Sequence, residues 1–326
     1  MASKARAMTQ NRGDNIMSKE TTRRQFIKTS AAIGVGTALS GTLVPKITLG
    51  DEAIDIAVVK GQDYLRNTKK AVRLLGGMKK FVPEDSKVAI LANVQRNNPG
   101  TFTKPEILRA AIQMCNEAGA KEIGCISWLG EKYWDSTGLK GVIEDEGVDL
   151  VITDLKDETR FKAVPVPNGV GLKEARVMES FLDYDILIDM PITKDHSGNK
   201  FTGTLKNLMG LNSPQSNRTF HKENWQTDKS SIAHLEQCIA DLNTVIHPDL
   251  CIVDATEFII TNGPFGPGEL HKPLKIVAGT DRVAIDAYCC TLWGLTPKDI
   301  VAINRAHDHG IGEIDLQMVS IKEVEA

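Results

Sequence analysis

The amino-acid sequence predicts an α/β protein of two lobes, each with a mainly parallel sheet flanked by helices, with a site in the cleft between them. Three observations lead there. Short apolar runs alternate with amphipathic segments along most of the chain, the order of successive βα units. Runs such as Val88-Ala89-Ile90-Leu91 show no polar alternation, as strands buried on both faces do. Polar, glycine-bearing segments follow the runs, and open α/β sheets bind ligands just past the carboxyl ends of their strands.

Residues 1–50 read as an address. Thr22-Arg23-Arg24-Gln25-Phe26-Ile27-Lys28 precedes a weakly apolar run from Ala31 to Val44, the pattern of a twin-arginine export signal. That run falls short of the ~20 apolar residues a membrane span needs, so no stable span is expected after processing; Gly50 to Ala53 is the expected cleavage region, and the alternative is an uncleaved anchor, since no A-x-A site follows. The expected partner is the twin-arginine translocase and the expected location periplasmic or otherwise extracytoplasmic. A net charge of −3 provides no basic excess for nucleic acid. The six cysteines form no C-x-x-C, so no iron–sulfur or zinc-ribbon motif is present. They are expected as small core residues.

The first lobe is expected over 54–180. Ile54–Val59 reads as a strand and Asp63–Lys80 as a helix on the spacing of Leu65, Val72 and Leu75. Lys87–Asn93 is a second strand. Lys104–Ala118 is a helix with Pro105 in its first turn and Gly119 past its end. Glu122–Ser127 and Val148–Thr153 are further strands, and Phe161–Pro167 an edge strand limited by its prolines. Between Asn93 and Lys104 a polar loop enters a helix N-terminus, where backbone N–H groups favour an anion. Arg96 could grip a carboxylate or phosphate there; the other reading is that Thr103 caps the helix and Arg96 is solvated.

The second lobe is expected over 181–326. After the run Asp185–Met190 comes Pro191–His221, which holds His196, His221, Lys194, Lys200, Lys206, Gly198, Gly203 and Gly210. Such a loop at a strand end is a site candidate. A neutral imidazole can move a proton or bind a metal, and a partly buried lysine can lose its charge and become a nucleophile. Lys194 and Lys200 are expected on the solvated surface. Ser231–Ile246 is an amphipathic helix and Leu250–Val253 a strand ending at Asp254. The Gly/Pro-rich stretch Thr261–Gly268 is a loop. Leu274–Ala278 is a strand, and Thr280–Trp293 a helix with Asp286 inside it. Pro297–His307 is a helix capped at Gly310, and Ile314–Val319 the last strand.

Three segments together resemble the uncharacterised family catalogued as domain of unknown function 362. They are Lys194-x-His196 through Lys206-Asn207 to Gly210, Ile252-Val253-Asp254 leading to Gly263-Pro264-x-Gly266, and Gly279-Thr280-Asp281-Arg282-Val283-Ala284-Ile285-Asp286-Ala287. Leu91-Ala92-Asn93 stands where that family usually has Lys-Pro-Asn. The order His196, Lys206, His221, with Asn93-x-x-Arg96, is also similar to the lactate racemase family, although Asn93 replaces an acidic residue and no histidine precedes His196. That resemblance implies a metal or a nickel-pincer-type nucleotide as cofactor. Lys206 would be the cofactor lysine, His221 (with His196) a metal ligand, His196 an acid–base group, and Arg96 a cofactor or substrate contact. Asp254 and Asp286 join them as expected cofactor contacts, and His196 and Lys206 are the expected catalytic pair.

The function expected is an exported enzyme moving a proton or hydride on a small organic acid, with metal or cofactor assistance. The alternatives are an exported binding protein for an anionic solute or metal, and a partner subunit of an exported redox enzyme.

Overall fold

The computed structural model describes residues 54–326, so the expected export signal and leader lie outside the described residues. The chain opens with β1 (Ile56–Lys60) and α1 (Tyr64–Leu74). Asp63 caps α1 by accepting the Arg66 N–H at 3.0 Å. The helix stops well short of the expected Lys80, because Gly76 and Gly77 adopt φ of 107° and 88°, which a helix cannot continue through. Then follow β2 (Lys87–Ala92), α2 (Pro105–Ala118), β3 (Glu122–Ser127), α3 (Glu131–Ser136), α4 (Leu139–Glu146) and β4 (Asp149–Ile152). Helix α2 has proline at its first turn and Gly119 in the left-handed region at its end, as expected.

A small antiparallel pair, β5 (Phe161–Pro165) and β6 (Glu174–Met178), leads to β7 (Ile186–Met190). The stretch expected as one polar loop is largely structured. It forms a hairpin, β8 (Lys194–His196) with β9 (Lys200–Thr202), and two short helices, α5 (Thr204–Asn207) and α6 (Pro214–Phe220). Next come α7 (Lys229–Leu242), β10 (Leu250–Ala255), the pair β11 (Phe258–Ile259) and β12 (Leu270–His271), and β13 (Lys275–Gly279). The chain ends with α8 (Arg282–Thr291), α9 (Val301–Asp308) and β14 (Ile321–Glu325). The last strand therefore lies beyond the expected Ile314–Val319, where Leu316–Met318 form a short 3-10 helix. Only the later segment can lie alongside β1, in parallel from Ile56–Ile321 to Lys60–Glu325.

The α/β class and the mainly parallel, helix-flanked sheet are as expected. The two separate sheets are not present. One eight-stranded sheet runs β14-β1-β13-β10-β7-β2-β3-β4, with β13 antiparallel to its neighbours. Strands from both expected lobes interleave in it. What the two halves of the sequence do separate is the faces. Ala57, Val59, Val88 and Ile90 pack against α1, α2 and α4 on one face. Ile56, Val58, Ala89 and Leu91 pack with residues of α7, α8 and α9 on the other. Alternate side chains point to opposite faces of a strand, so each face has its own apolar core. Among the described residues no helix is long and apolar enough to cross a membrane.

Along the sheet the chain steps outward from β2 through β3 to β4, then returns and steps the other way from β7 to β10. The order reverses between β2 and β7, which pair in parallel from Val88–Ile186 to Ala92–Met190. This is a topological switch point, where loops leave in opposite directions and open a crevice.

Candidate functional site

A cavity of about 210 Å³ opens at that crevice. Its wall is made by the ends of β2 and β3, the β8–β9 hairpin, α5, and the segment from Asn217 to Trp225. Lys194, His196, Lys206 and His221 all line it. Of the residues singled out in the sequence, the structure thus brings His196, Lys206 and His221 together. It adds Lys194, which was expected on the surface. Among the described residues that line the cavity, none is acidic.

Each side chain has a local reason to be there. The parallel pairing of β7 and β10 continues past Met190 through the Ile192–Asp254 bridge, which carries the chain directly into β8. Lys194 is 0% exposed. Its Nζ donates to the Thr101 carbonyl at 2.6 Å and to Asn93 Oδ1 at 3.3 Å, both neutral acceptors. Burial, with the charges of Lys206 and Arg96, pulls its pKa down to about 7. Asn93 Nδ2 donates to Asn207 Oδ1 at 3.1 Å, and Asn207 Nδ2 donates to Asp189 Oδ1 at 2.7 Å. Lys194, Asn93, Asn207 and Asp189 therefore form one chain, with a donor at the cavity end and an acceptor at the buried end. Burial holds the Asp189 carboxyl well above its usual range.

Lys206 lies on α5. That four-residue helix is fixed at its N-terminus by Asp286, whose Oδ1 accepts the Thr204 N–H at 2.7 Å and whose Oδ2 accepts the Leu205 N–H at 3.0 Å. A Cβ on Gly203 would overlap the Asp286 carboxylate, so the close approach requires glycine there. Lys206 Nζ reaches Met209 Sδ at 3.6 Å, and burial pulls its pKa down to about 8, Glu236 acting in the other direction.

The two imidazoles are set alike. His196 Nδ1 is 2.7 Å from the Ser197 carbonyl and His221 Nδ1 is 2.8 Å from the Asn217 carbonyl. A carbonyl oxygen only accepts, so each Nδ1 carries the proton and each Nε2 keeps its lone pair. Burial, and next the charge of Lys206, holds His221 down to about 4 and His196 well below its ordinary value. Trp225 lies beside both rings, with centroids 5.3 Å from His196 and 4.9 Å from His221. The glycine-rich loop braces this side. Gly263 N donates to Asp195 Oδ2 at 2.7 Å, Ser197 N donates to the Gly263 carbonyl at 3.2 Å, and a side chain at Gly263 would overlap the Asp195 backbone.

Arg96, Asp254 and Asp286 lie outside the cavity wall. Arg96 is at the rim, its guanidinium 4.3 Å from the ring centroid of Phe265, which borders the opening and is 39% exposed. The cofactor roles expected for the two aspartates do not match their contacts. Both are buried and bonded to the fold: Asp286 caps α5, and Asp254 fixes the residue that leads into α2. Asp254 Oδ2 accepts the Lys104 N–H at 3.0 Å, while Oδ1 accepts the Thr256 N–H at 3.0 Å. A carboxylate of the chain itself thus lies at the entry to the helix N-terminus expected to attract an anion. Thr103 does not cap α2. Its hydroxyl donates to the Met190 carbonyl at 2.6 Å, tying the end of β7 to this loop. Sequence reasoning missed Lys194, Trp225 and Asn207. Lys194 had a usable signal: it comes four residues after a buried strand and two before His196.

The donor set decides what the cavity can hold. Among the described residues no group of three or more His, Cys, Asp or Glu side chains could hold a metal ion. The two histidines expected as ligands face lysines rather than carboxylates, so a bare divalent ion does not fit. The cavity has room for a small organic acid. An organic anion matches both charge and size.

The family model described as domain of unknown function (DUF362) matches residues 88–291. A thylakoid-associated protein of Synechocystis sp. is 25% identical over 170 residues, covering 48% of this chain and 50% of that protein. Two solved structures resemble the chain distantly. The lactate racemase apoprotein from Thermoanaerobacterium thermosaccharolyticum has a TM-score of 0.45 at 15% identity, over 74% of this chain and 60% of the other. A protein from Thermotoga maritima has a TM-score of 0.39 at 14% identity, over 60% of this chain and 51% of the other. The chain spans half to three fifths of the length of these relatives.

Proposed function

The chain belongs to the family described as domain of unknown function (DUF362), and from that premise we propose that it is an enzyme that moves a proton on a small organic acid. One observation carries the reading: two imidazoles with bare Nε2 atoms share a cavity with two lysine amines and no acidic side chain among the described lining residues. Lys194 and Lys206 hold the substrate carboxylate. The Nε2 of His196 or His221 takes a proton from the carbon beside it. The negative charge that develops on the carboxylate oxygens is stabilised by the Lys206 ammonium and by Lys194, which the bound anion draws toward its protonated form. The imidazolium then returns a proton to the same face of that carbon, which is exchange with retention, or, in an unsaturated acid, to the far end of the double bond, which is an isomerisation. Depressed histidine pKa values keep both bases neutral near pH 7, as general-base catalysis requires.

Incubation of the full chain with enantiopure 2-hydroxy and 2-amino acids in D₂O, followed by NMR, tests the reading. Deuterium is expected at the carbon beside the carboxylate, and His196→Asn and His221→Asn should slow its uptake by roughly 10²-fold or more. An acid that binds without exchanging would make the protein a solute-binding protein. Exchange at the wild-type rate in both variants would remove the histidines from the mechanism.

The Thr22–Lys28 segment supports export of this enzyme by the twin-arginine route. Replacing Arg23 and Arg24 by lysine should leave the protein in the cytoplasm of its host. An unchanged distribution would refute export by that route.

A further inference from the structure

We infer that the ligand of this cavity is a small organic dianion, with one anionic group held between Lys194 and Lys206 and the second held at the rim by Arg96. The inference rests on the proposed function and names the substrate class. Its basis is uncompensated charge. Lys194 donates only to the Thr101 carbonyl and Asn93 Oδ1. Lys206 bonds only the Met209 sulfur, and the buried Glu236 carboxyl acts on it through space without an ion-pair contact. Arg96 donates from Nη1 to the Gln95 carbonyl at 3.2 Å and stacks on Phe265. Among the described residues, none of the three has a carboxylate within salt-bridge distance. Buried charges in folded proteins are ordinarily paired; Lys194 is buried and Lys206 and Arg96 are half-buried, so the cavity and its rim together leave a place for more than one negative charge.

The geometry separates two anion positions. The lysines approach from the floor, on β8 and α5. Arg96 is on the loop after β2, and its stacking on Phe265 fixes the guanidinium plane beside the opening. A flat guanidinium grips a carboxylate or a phosphoryl group through two parallel N–H bonds. An acid bearing anionic groups at both ends would satisfy floor and rim together. A monoanion would leave one of them unmet.

The test is calorimetric titration of the full chain with succinate, malate and 3-phosphonopropionate, against lactate and butyrate. The dianions are expected to bind roughly tenfold tighter or more, which is ~1.4 kcal/mol. Whether the dicarboxylates or the phosphonate leads then identifies the second group. In Arg96→Gln the advantage should shrink to about threefold or less, and Arg96→Lys should restore part of it, because a point charge replaces the fork. Melting temperatures of both variants check that the fold is intact. Equal affinity of monoanions and dianions would overturn the inference while leaving the proton-transfer reading standing. Failure of every acid to bind would remove both. A preference that survives in Arg96→Gln would overturn the role of the rim arginine.

Discussion

Replacing His221 by asparagine tests whether the site holds an imidazole neutral by burial. Asparagine places an N–H where His221 Nδ1 now donates to the Asn217 carbonyl at 2.8 Å, and it removes the titration. In the folded chain the His221 pKa is about 4, below the ordinary 6.5, because burial and the nearby Lys206 charge disfavour the cation. Between those pH values the unfolded chain binds more protons than the native one, so this residue makes stability rise with pH. Its contribution is fully present above about 6.5 and fully lost below about 4. At ~1.4 kcal/mol per pH unit the ceiling is roughly 3 kcal/mol. Partial solvent access of the ring reduces that to about 1–2 kcal/mol. Urea unfolding at a series of pH values between 7.5 and 4 measures it as a difference. Wild type should lose about 1–2 kcal/mol more than His221→Asn as pH falls through this window. Asp286 and Glu236, whose pKa values burial raises to about 7 and about 8, oppose this trend, but they are present in both proteins and cancel. Parallel stability curves would refute the assignment of a buried, neutral His221.

Three further outcomes follow from the same contacts. Asp286→Ala should destabilise the chain by roughly 3–5 kcal/mol, since the buried Thr204 and Leu205 N–H groups lose their acceptor at ~1–3 kcal/mol each; a urea midpoint within error of wild type would contradict the capping role. Asn207→Ala takes from Asp189 its 2.7 Å donor and from Asn93 its 3.1 Å acceptor, and a loss of about 2–4 kcal/mol is expected in the same assay. Lys206→Met keeps most of the side-chain volume and removes a charge, so the melting temperature should move by only a few degrees while anion affinity falls roughly tenfold; unchanged affinity would take Lys206 out of the site.

Much of this arrangement is legible in the sequence, and the parts that are not have identifiable causes. Strands β2, β3, β7 and β10 are largely apolar, mostly buried runs and read as such. The β8–β9 hairpin was hidden because its residues are those of a polar loop: Lys194, Asp195 and His196 pair with Lys200, Phe201 and Thr202 without a period-two apolar pattern. Lys194 looked solvated because a lysine normally is; that Thr101 and Asn93 lie above it follows from the β2–β7 pairing, a contact between distant segments. Asp254 and Asp286 were recognisable as special, since aspartate at a strand end or inside an apolar helix is unusual, but the same residue type serves a ligand or a helix cap. Only the positions of the Lys104, Thr204 and Leu205 N–H groups decide between the two. The single sheet was equally hidden, because a strand's neighbours depend on crossovers that local periodicity does not encode.

The distribution of acids explains why the cavity is cationic. Asp189, Asp254 and Asp286 are all buried close to the cavity wall, and any of them could in principle have neutralised a lysine there. Each is turned to a different donor: Asp254 to the Lys104 and Thr256 N–H groups, Asp286 to those of Thr204 and Leu205, and Asp189 to the Asn207 amide. These bonds hold the α2 entry and the short helix α5 in place, and Asn207 in turn orients Asn93 toward Lys194. The carboxylates that position the site are thereby withheld from its amines. The lysines are left with neutral partners inside a low-dielectric wall, where a charge without a counter-ion is costly and one with a well-placed counter-ion is not. An incoming acid supplies that counter-ion. The same arrangement that fixes the floor of the cavity therefore also sets its selectivity for anions, and exchanging Asp286 or Asn207 should disturb fold and ligand affinity together, whereas exchanging Lys206 should disturb affinity alone.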